Sequence, residues 1–344
     1  MTTHDTRQAA SRPRSSSADR ELVDEALLSS IETLPTPIRR IAEYHCGFRD
    51  REGRRLGAGA GKGLRPSLSL MCARAVGRDP EVALPAAVAV QLVHEFSLLH
   101  DDVMDGDETR RHRPTAWRVF GVNAAILAGD ALLSLAFHVL TGATGLAADA
   151  ASRRLDEAVQ HLIEGQFSDL DFEERSEITL AECTAMAHRK TAALLGTACA
   201  LGALLAEADT AVVDSLRRFG EHIGLAFQLT DDLLGIWGDP AVTGKPAHSD
   251  LLRRKKSFPV VAAMGSGTDA GHALAEIYRQ GELGSTEAVR AAELIIEAGG
   301  AGWTRQRADE EVDLGLRVLR AAIPGPDDAG ELARVAGSIT GRDR

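Results

Sequence analysis

Apolar residues recur at helical spacing along almost the whole chain from Glu21 onward. Leu22, Ala26, Ile31, Ile38 and Ile41 mark a first helix or helix pair, interrupted at Pro35 and Pro37. The pattern predicts further helices over 67–76, 81–104, 122–140, 150–172, 179–206 and 209–237, with shorter ones across 257–340. Pro66 is placed to open the helix that follows it. Gly238, Pro240, Gly244 and Pro246 break the period, so 238–256 reads as a loop. Strand-like runs are hard to find. One all-α domain over 21–344 is the economical expectation. Residues 1–20 carry almost no large apolar side chains and read as a disordered tail. A docking segment for a partner or compartment is the other reading of that tail.

Composition narrows the function. The 344 residues are 44 % hydrophobic and 26 % charged, with only 4 % aromatics, which suits closely packed helices. The net charge of −11 argues against a nucleic-acid partner, whose phosphates demand clustered cations. A phosphate-bearing small molecule stays compatible with an acidic chain if metal ions bridge the two. Cys46, Cys72, Cys183 and Cys199 are widely spaced with no CxxC pair, as expected of reduced, buried thiols in a cytoplasmic protein. Residues 1–20 lack the apolar core of a secretory signal. The most apolar run, Thr191–Ala206, is too short and alanine-rich to span a bilayer, so no membrane span is expected.

One self-similarity carries the chemistry. Residues 98–105 read LLHDDVMD and residues 228–235 read QLTDDLLG. Each sets an Asp-Asp pair at the end of a long apolar helix. Asp101 and Asp105 are four apart and share a helix face, where they repel each other unless a cation sits between them. Oxygen-only donors point to a hard cation, and Mg²⁺ binds through one or two carboxylates plus substrate phosphates. Asp102 points about 100° away from Asp101 and is suited to orienting the shell or binding a lysine. Short basic clusters follow closely: Lys62 and Arg65 around the glycine-rich loop 57–63, Arg110, Arg111 and Arg113 after the first segment, and Lys245, Lys255 and Lys256 after the second. Diphosphate oxygens need such forks and point charges. His94 and His100 are six apart, not on one face, and read as hydrogen-bonding groups rather than metal ligands.

This ordered set resembles the trans-prenyltransferase, or polyprenyl diphosphate synthase, family from about residue 35 to the C-terminus. The family's first DDxxD motif appears as Asp101, Asp102 and Asp105, and its arginine pair as Arg110-Arg111. Its upstream basic motif resembles Gly61 to Pro66, with Lys62 and Arg65. His94 sits where the family places a ligand of isopentenyl diphosphate. Lys190-Thr191, Phe227-Gln228, Lys245 and Lys255 match later motifs, and Gly341 to Arg344 resembles the family's basic ending.

The resemblance implies a single large helical bundle of the isoprenoid synthase type with a central cavity, assembled as a homodimer. It implies condensation of an allylic diphosphate with isopentenyl diphosphate by ionisation, condensation and elimination, with three Mg²⁺ ions per site. Asp101, Asp105 and Asp231 are then the metal ligands, with Asp102 and Asp232 supporting. Arg110, Lys190, Lys245 and Lys255 would meet the allylic diphosphate. Lys62, Arg65, His94 and Arg111 would meet isopentenyl diphosphate. Thr191, Phe227 and Gln228 would line the reacting centre. Val93, Phe96 and Ser97, one to two turns before Asp101, would set product length, with Phe96 as the floor and a C20 product favoured over C15.

Two positions depart from the family. Gly63 stands where many members carry arginine. Gly235 stands where the second motif carries its last aspartate; if water takes that place, an aspartate restored there should tighten the metal requirement. These departures keep open a non-catalytic partner subunit of a heteromeric synthase. A class I terpene cyclase is the remaining alternative, disfavoured by the second Asp-Asp pair.

Overall fold

The computed structural model describes residues 16–56, 63–142, 146–240, 247–280 and 283–343, and these are almost entirely helical. Helices α1 (Ser16–Glu32) and α2 (Thr36–His45) meet at Pro35, and Pro37 lies in the first turn of α2, where its missing N–H costs no hydrogen bond. Next come α3 (Leu64–Ala75), α4 (Leu84–Met104), α5 (Ala116–Phe120), α6 (Val122–Thr141) and α7 (Leu146–Glu174).

The predicted helix over 179–206 is two helices, α8 (Leu180–Ala187) and α9 (Ala193–Leu205), joined by a π turn at His188–Ala192. A capping box starts α8: the Glu182 N–H donates to the Thr179 hydroxyl, and the Glu182 carboxylate accepts from the Thr179 N–H. Helix α10 (Thr210–Trp237) lies against α9 and the long helix Gly300–Ala322, while α4 pairs with α6. The expected loop 238–256 contains one helical turn, Ser249–Leu252.

The core forms where these helices present leucine and alanine. Leu68, Leu92, Leu132, Leu155 and Leu195 are all fully buried. Each contributes roughly 1.5–3 kcal/mol relative to exposure. A smaller cluster around Ile236, Leu251, Leu274 and Ile295 organises the C-terminal helices. The only strands among the described residues are Thr109–Arg110 and Arg113–Pro114, a two-residue hairpin directly after α4. All four cysteines are free and buried.

The N-terminal expectation needs one correction. Residues 1–15 lie outside the described set, but Ser16 to Arg20 already belong to α1. Asp19 is 1 % exposed and accepts from Arg74 Nη2 at 2.8 Å, while Arg74 also pairs with Glu331. An ion pair to α3 orders a stretch whose own composition gave no reason to fold.

Candidate active site

Helix α4 ends at Met104, and the Asp105 N–H donates to the Asp101 carbonyl at 2.8 Å. The two carboxylates therefore leave the last turn on one face. Both line a cavity of about 340 Å³ that also takes Asp231 from α10. Burial pushes the Asp101 carboxyl up to about 6, with Lys190 opposing and the Asp105 charge adding repulsion. A cation between these groups would relieve that repulsion.

Asp102 does something else. It is 1 % exposed, lies off the cavity wall, and accepts from Arg110 Nε at 2.7 Å. Its expected supporting role takes this form: Asp102 pairs with an arginine rather than a lysine, holding Arg110, whose side chain reaches the cavity. Asp232, the other supporting residue, lines the neighbouring recess with Asp231. Its Oδ1 accepts from Gln228 Nε2 at 2.7 Å and its Oδ2 from the Phe258 N–H at 2.9 Å, so both oxygens are already engaged. Burial pushes its carboxyl up to about 7, with the Phe258 hydrogen bond opposing. Gln228 accepts in turn from the Thr191 hydroxyl at 2.7 Å. A relay from Thr191 through Gln228 to Asp232 thus fixes two uncharged dipoles at the cavity wall.

The π turn explains why Lys190 and Thr191 can both face the cavity. An inserted residue widens the helix, a device frequent at functional sites. The bulge presses on α7 at Gly165, where an added Cβ would run into the Lys190 backbone and come within 2.8 Å of its Cα. Only glycine fits there. Lys190 Nζ donates to Asp169 at 2.6 Å. Burial disfavours the Lys190 and Lys255 ammonium groups, yet Asp169 and its neighbouring carboxylates raise both pKa values. Asp169 was not legible in the motifs singled out above; its place beside Gly165 and Gln166 on α7 was the available signal.

A second basic group closes the cavity. Arg65 Nη1 lies 3.3 Å from His94 Nε2. Burial, then the Arg65 charge, lowers the His94 pKa, which leaves the ring neutral, while burial lowers Arg65 only to about 10. Arg111 and His112 form the hairpin tip with φ of 52° and 60°, as a type I′ turn requires. Arg111 lies 3.5 Å from the buried Glu95, which also meets His45 at 3.1 Å and Gln91 at 2.6 Å. Burial opposes ionisation of Glu95, but the His45 hydrogen bond and the Arg111 charge hold its carboxyl well below the usual range. The sequence reading missed Glu95 and His45. Arg113, by contrast, stacks 4.2 Å from the Tyr44 ring centroid and donates to the Tyr44 and Arg49 carbonyls.

Ser97, Leu98, Leu162, Leu194 and Phe227 supply further walls. Phe96 and Val93 do not: Val93 is fully buried, and Phe96 packs edge-on to His100 with centroids 4.8 Å apart. Phe96 stands one layer behind Ser97, because a residue next to Ser97 on a helix points about 100° away, whereas Val93 lies one turn below Ser97 on nearly the same face. His100 Nε2 donates to the Ile126 carbonyl at 3.0 Å. Lys62, Lys245 and the side chains of Arg342 and Arg344 lie outside the described residues.

The donor set fits magnesium. The cavity acids offer oxygen only, and among the described residues no three acids, histidines or cysteines converge into a closed cage. Ions held there would complete their shells with water and substrate phosphate, which is magnesium's usual habit.

The fifth position of the second segment is not left to water. A Cβ at Gly235 would overlap Asp250 Oδ2 and come within 2.5 Å of Asp250 Cγ.

Comparison with known proteins bears on this arrangement. Residues 54–295 match the model of the polyprenyl synthetase family. A (2E,6E)-farnesyl diphosphate synthase of Mycobacterium tuberculosis is 45 % identical over 328 residues, covering 94 % of this chain and 91 % of the relative. A geranylgeranyl diphosphate synthase of the same organism is 46 % identical over 300 residues, covering 87 % and 86 %. The crystal structure of a polyprenyl synthetase from Streptomyces coelicolor A3(2) superposes with a TM-score of 0.90 at 42 % identity, covering 94 % of this chain and 98 % of that one.

Proposed function

The chain belongs to the polyprenyl synthetase family and is a prenyltransferase, a prenyl diphosphate synthase; on that premise we propose that it joins an allylic diphosphate to isopentenyl diphosphate and stops at C20. A C15 product is the second outcome, since relatives of both product classes are about equally similar. The observation that carries the reading is the meeting of Asp101, Asp105 and Asp231 with Arg110, Lys190 and Lys255 around one cavity.

Asp101, Asp105 and Asp231 would hold the magnesium ions on which the family generally depends, three in our reading. The ions supply Lewis-acid stabilisation of the leaving diphosphate. Arg110 and Lys190, already oriented by Asp102 and Asp169, face the same charge as it develops, with Lys255 beside them. Thr191 and Gln228 turn dipoles rather than nucleophiles toward the allylic cation. Arg65, His94 and Arg111 hold isopentenyl diphosphate, with Lys62 and Lys245 joining the two diphosphate sites. The departing diphosphate takes the final proton, so no strong base is needed.

A homodimer accounts for the exposed apolar side chains Phe167 and Ile163 on α7 and Leu127 on α6. Helices Pro80–Met104 and Val122–Thr141 are long and apolar enough to cross a membrane, but the first is mostly buried in the core. Four free, buried cysteines support a reducing, cytoplasmic setting.

Incubating the purified chain with Mg²⁺, isopentenyl diphosphate and dimethylallyl, geranyl or farnesyl diphosphate, with products read by mass spectrometry, tests the proposal. A dominant C20 prenyl diphosphate supports it. Failure to release diphosphate with any primer would favour the non-catalytic partner subunit.

A further inference from the structure

The two aspartate segments differ at their last position, Asp105 in one and Gly235 in the other. Position 235 is one turn beyond Asp231 on the same face of α10, so a ligand next to Asp231 would look for its second carboxylate there. The volume that a side chain at 235 would fill holds the carboxylate of Asp250.

That placement is built by the backbone. The His248 N–H donates to the Ile236 carbonyl at 3.2 Å, and the Ser249 hydroxyl donates to the Gly235 carbonyl at 3.3 Å. The next residue is therefore delivered against the α10 face. The Asp250 carbonyl accepts from the Lys255 N–H at 2.9 Å, tying the same turn to a diphosphate-facing lysine. Asp250 lines a recess with Asp231, Gly235, Lys190 and Lys255. Its charge also raises the pKa values of Asp232 and Lys255, though burial is the largest influence on each.

We propose that Asp250 supplies the outer carboxylate of the second aspartate segment, an oxygen donor from the following turn that replaces the side chain Gly235 lacks and helps hold a divalent cation with diphosphate. The assignment rests on the prenyl diphosphate synthase reading and deepens it. Glycine at 235 then becomes a requirement of the site rather than a loss. A carboxylate delivered from a separate turn keeps the charge of a DDxxD motif while changing which backbone carries it.

The test is Mg²⁺-dependent binding of inorganic diphosphate to the full chain, followed by calorimetry, with melting temperature recorded for every variant. Asp250→Asn should raise the Mg²⁺ concentration needed for half-maximal binding by about tenfold or more, the usual effect of losing a residue that supports a metal site. Gly235→Asp alone should do as much damage, because its side chain collides with Asp250. The exchange Gly235→Asp with Asp250→Gly should return the Mg²⁺ requirement to within about threefold of wild type, which a merely structural aspartate would not do. An unchanged Mg²⁺ requirement in Asp250→Asn overturns the assignment, whatever the exchange variant does. Asp101→Asn serves as the reference. If it abolishes metal-dependent binding while Asp250→Asn does not, only the Asp250 role fails. If neither has an effect, the reading of the whole site as a magnesium–diphosphate site fails.

Discussion

The ends of α4 and α10 each carry an Asp-Asp pair after a leucine and one polar residue, yet they are finished differently. In both, the first aspartate of the pair faces the cavity and the second is drawn into the protein. Asp102 is held by one charged side chain, Arg110, whereas Asp232 is held by a glutamine and a backbone N–H. The first segment closes with its own Asp105; the second makes room for a carboxylate from another turn. A shared motif therefore fixes which residue meets the ligand, while the neighbours decide what the adjacent residue does. The α4 end is tied through a charged pair, and the α10 end through neutral donors.

Substitutions can break this contrast, and the largest effect belongs to Asp101. Asp101→Ala removes a carboxylate that would act on the leaving group, and turnover should fall by about a thousandfold or more. Near-normal turnover would remove Asp101 from the metal site. The next effect separates the two inward aspartates. Asp102→Asn frees Arg110 and should lower kcat by roughly a hundredfold with little change in stability, as expected when a group facing developing charge is misplaced. Asp232→Asn turns an amide donor toward another donor and should instead cost roughly 1–3 kcal/mol of stability. Denaturant unfolding and steady-state kinetics on both variants check the split; identical profiles would erase it.

Glu95→Gln should act more weakly and on one substrate only. Losing the charge that orients Arg111 should raise the KM for isopentenyl diphosphate about tenfold, equivalent to ~1.4 kcal/mol, and leave the allylic KM unchanged. Its pH dependence has a defined sign. The folded carboxyl lies below its ordinary value of 4.5, so its stabilisation is fully present above that pH and is lost as pH falls toward the folded pKa. The melting-temperature gap between wild type and Glu95→Gln should be constant near neutrality and shrink on acidification below about 4.5. A gap that widens there would contradict the buried ion pair. The smallest effect is expected from Phe96→Ala. Because Phe96 stands behind Ser97, the change should lengthen only a minor share of products at unchanged turnover, as mass spectrometry would show. A full shift to longer chains would put the ring at the cavity wall after all.

Much of this was legible in the chain itself. Helical periodicity placed α4, α6 and α10 within a few residues, and the spacing of Asp101, Asp105 and Asp231 identified the acids that face the cavity. What escaped depends on contacts between segments distant in sequence. No local pattern links Asp250 to Gly235, Glu95 to His45, or Asp19 to Arg74. The π turn was hidden because one extra residue leaves the apolar period almost unchanged, and only the missing side chain at Gly165 betrays it. The particular partners of Asp102 and Asp232 escaped for the same reason: adjacency to a ligand residue says nothing about which partner burial provides.

The account is tested most directly by a crystal structure grown with Mn²⁺ and a non-ionisable thiolodiphosphate analogue of the allylic substrate. Anomalous peaks should stand against the carboxylates of Asp101 and Asp105 and against Asp231, bridged by the analogue's phosphates, with none on Asp102 or Asp232. A peak ligated by Asp102 or Asp232, or a diphosphate bound away from Lys190 and Lys255, would contradict it.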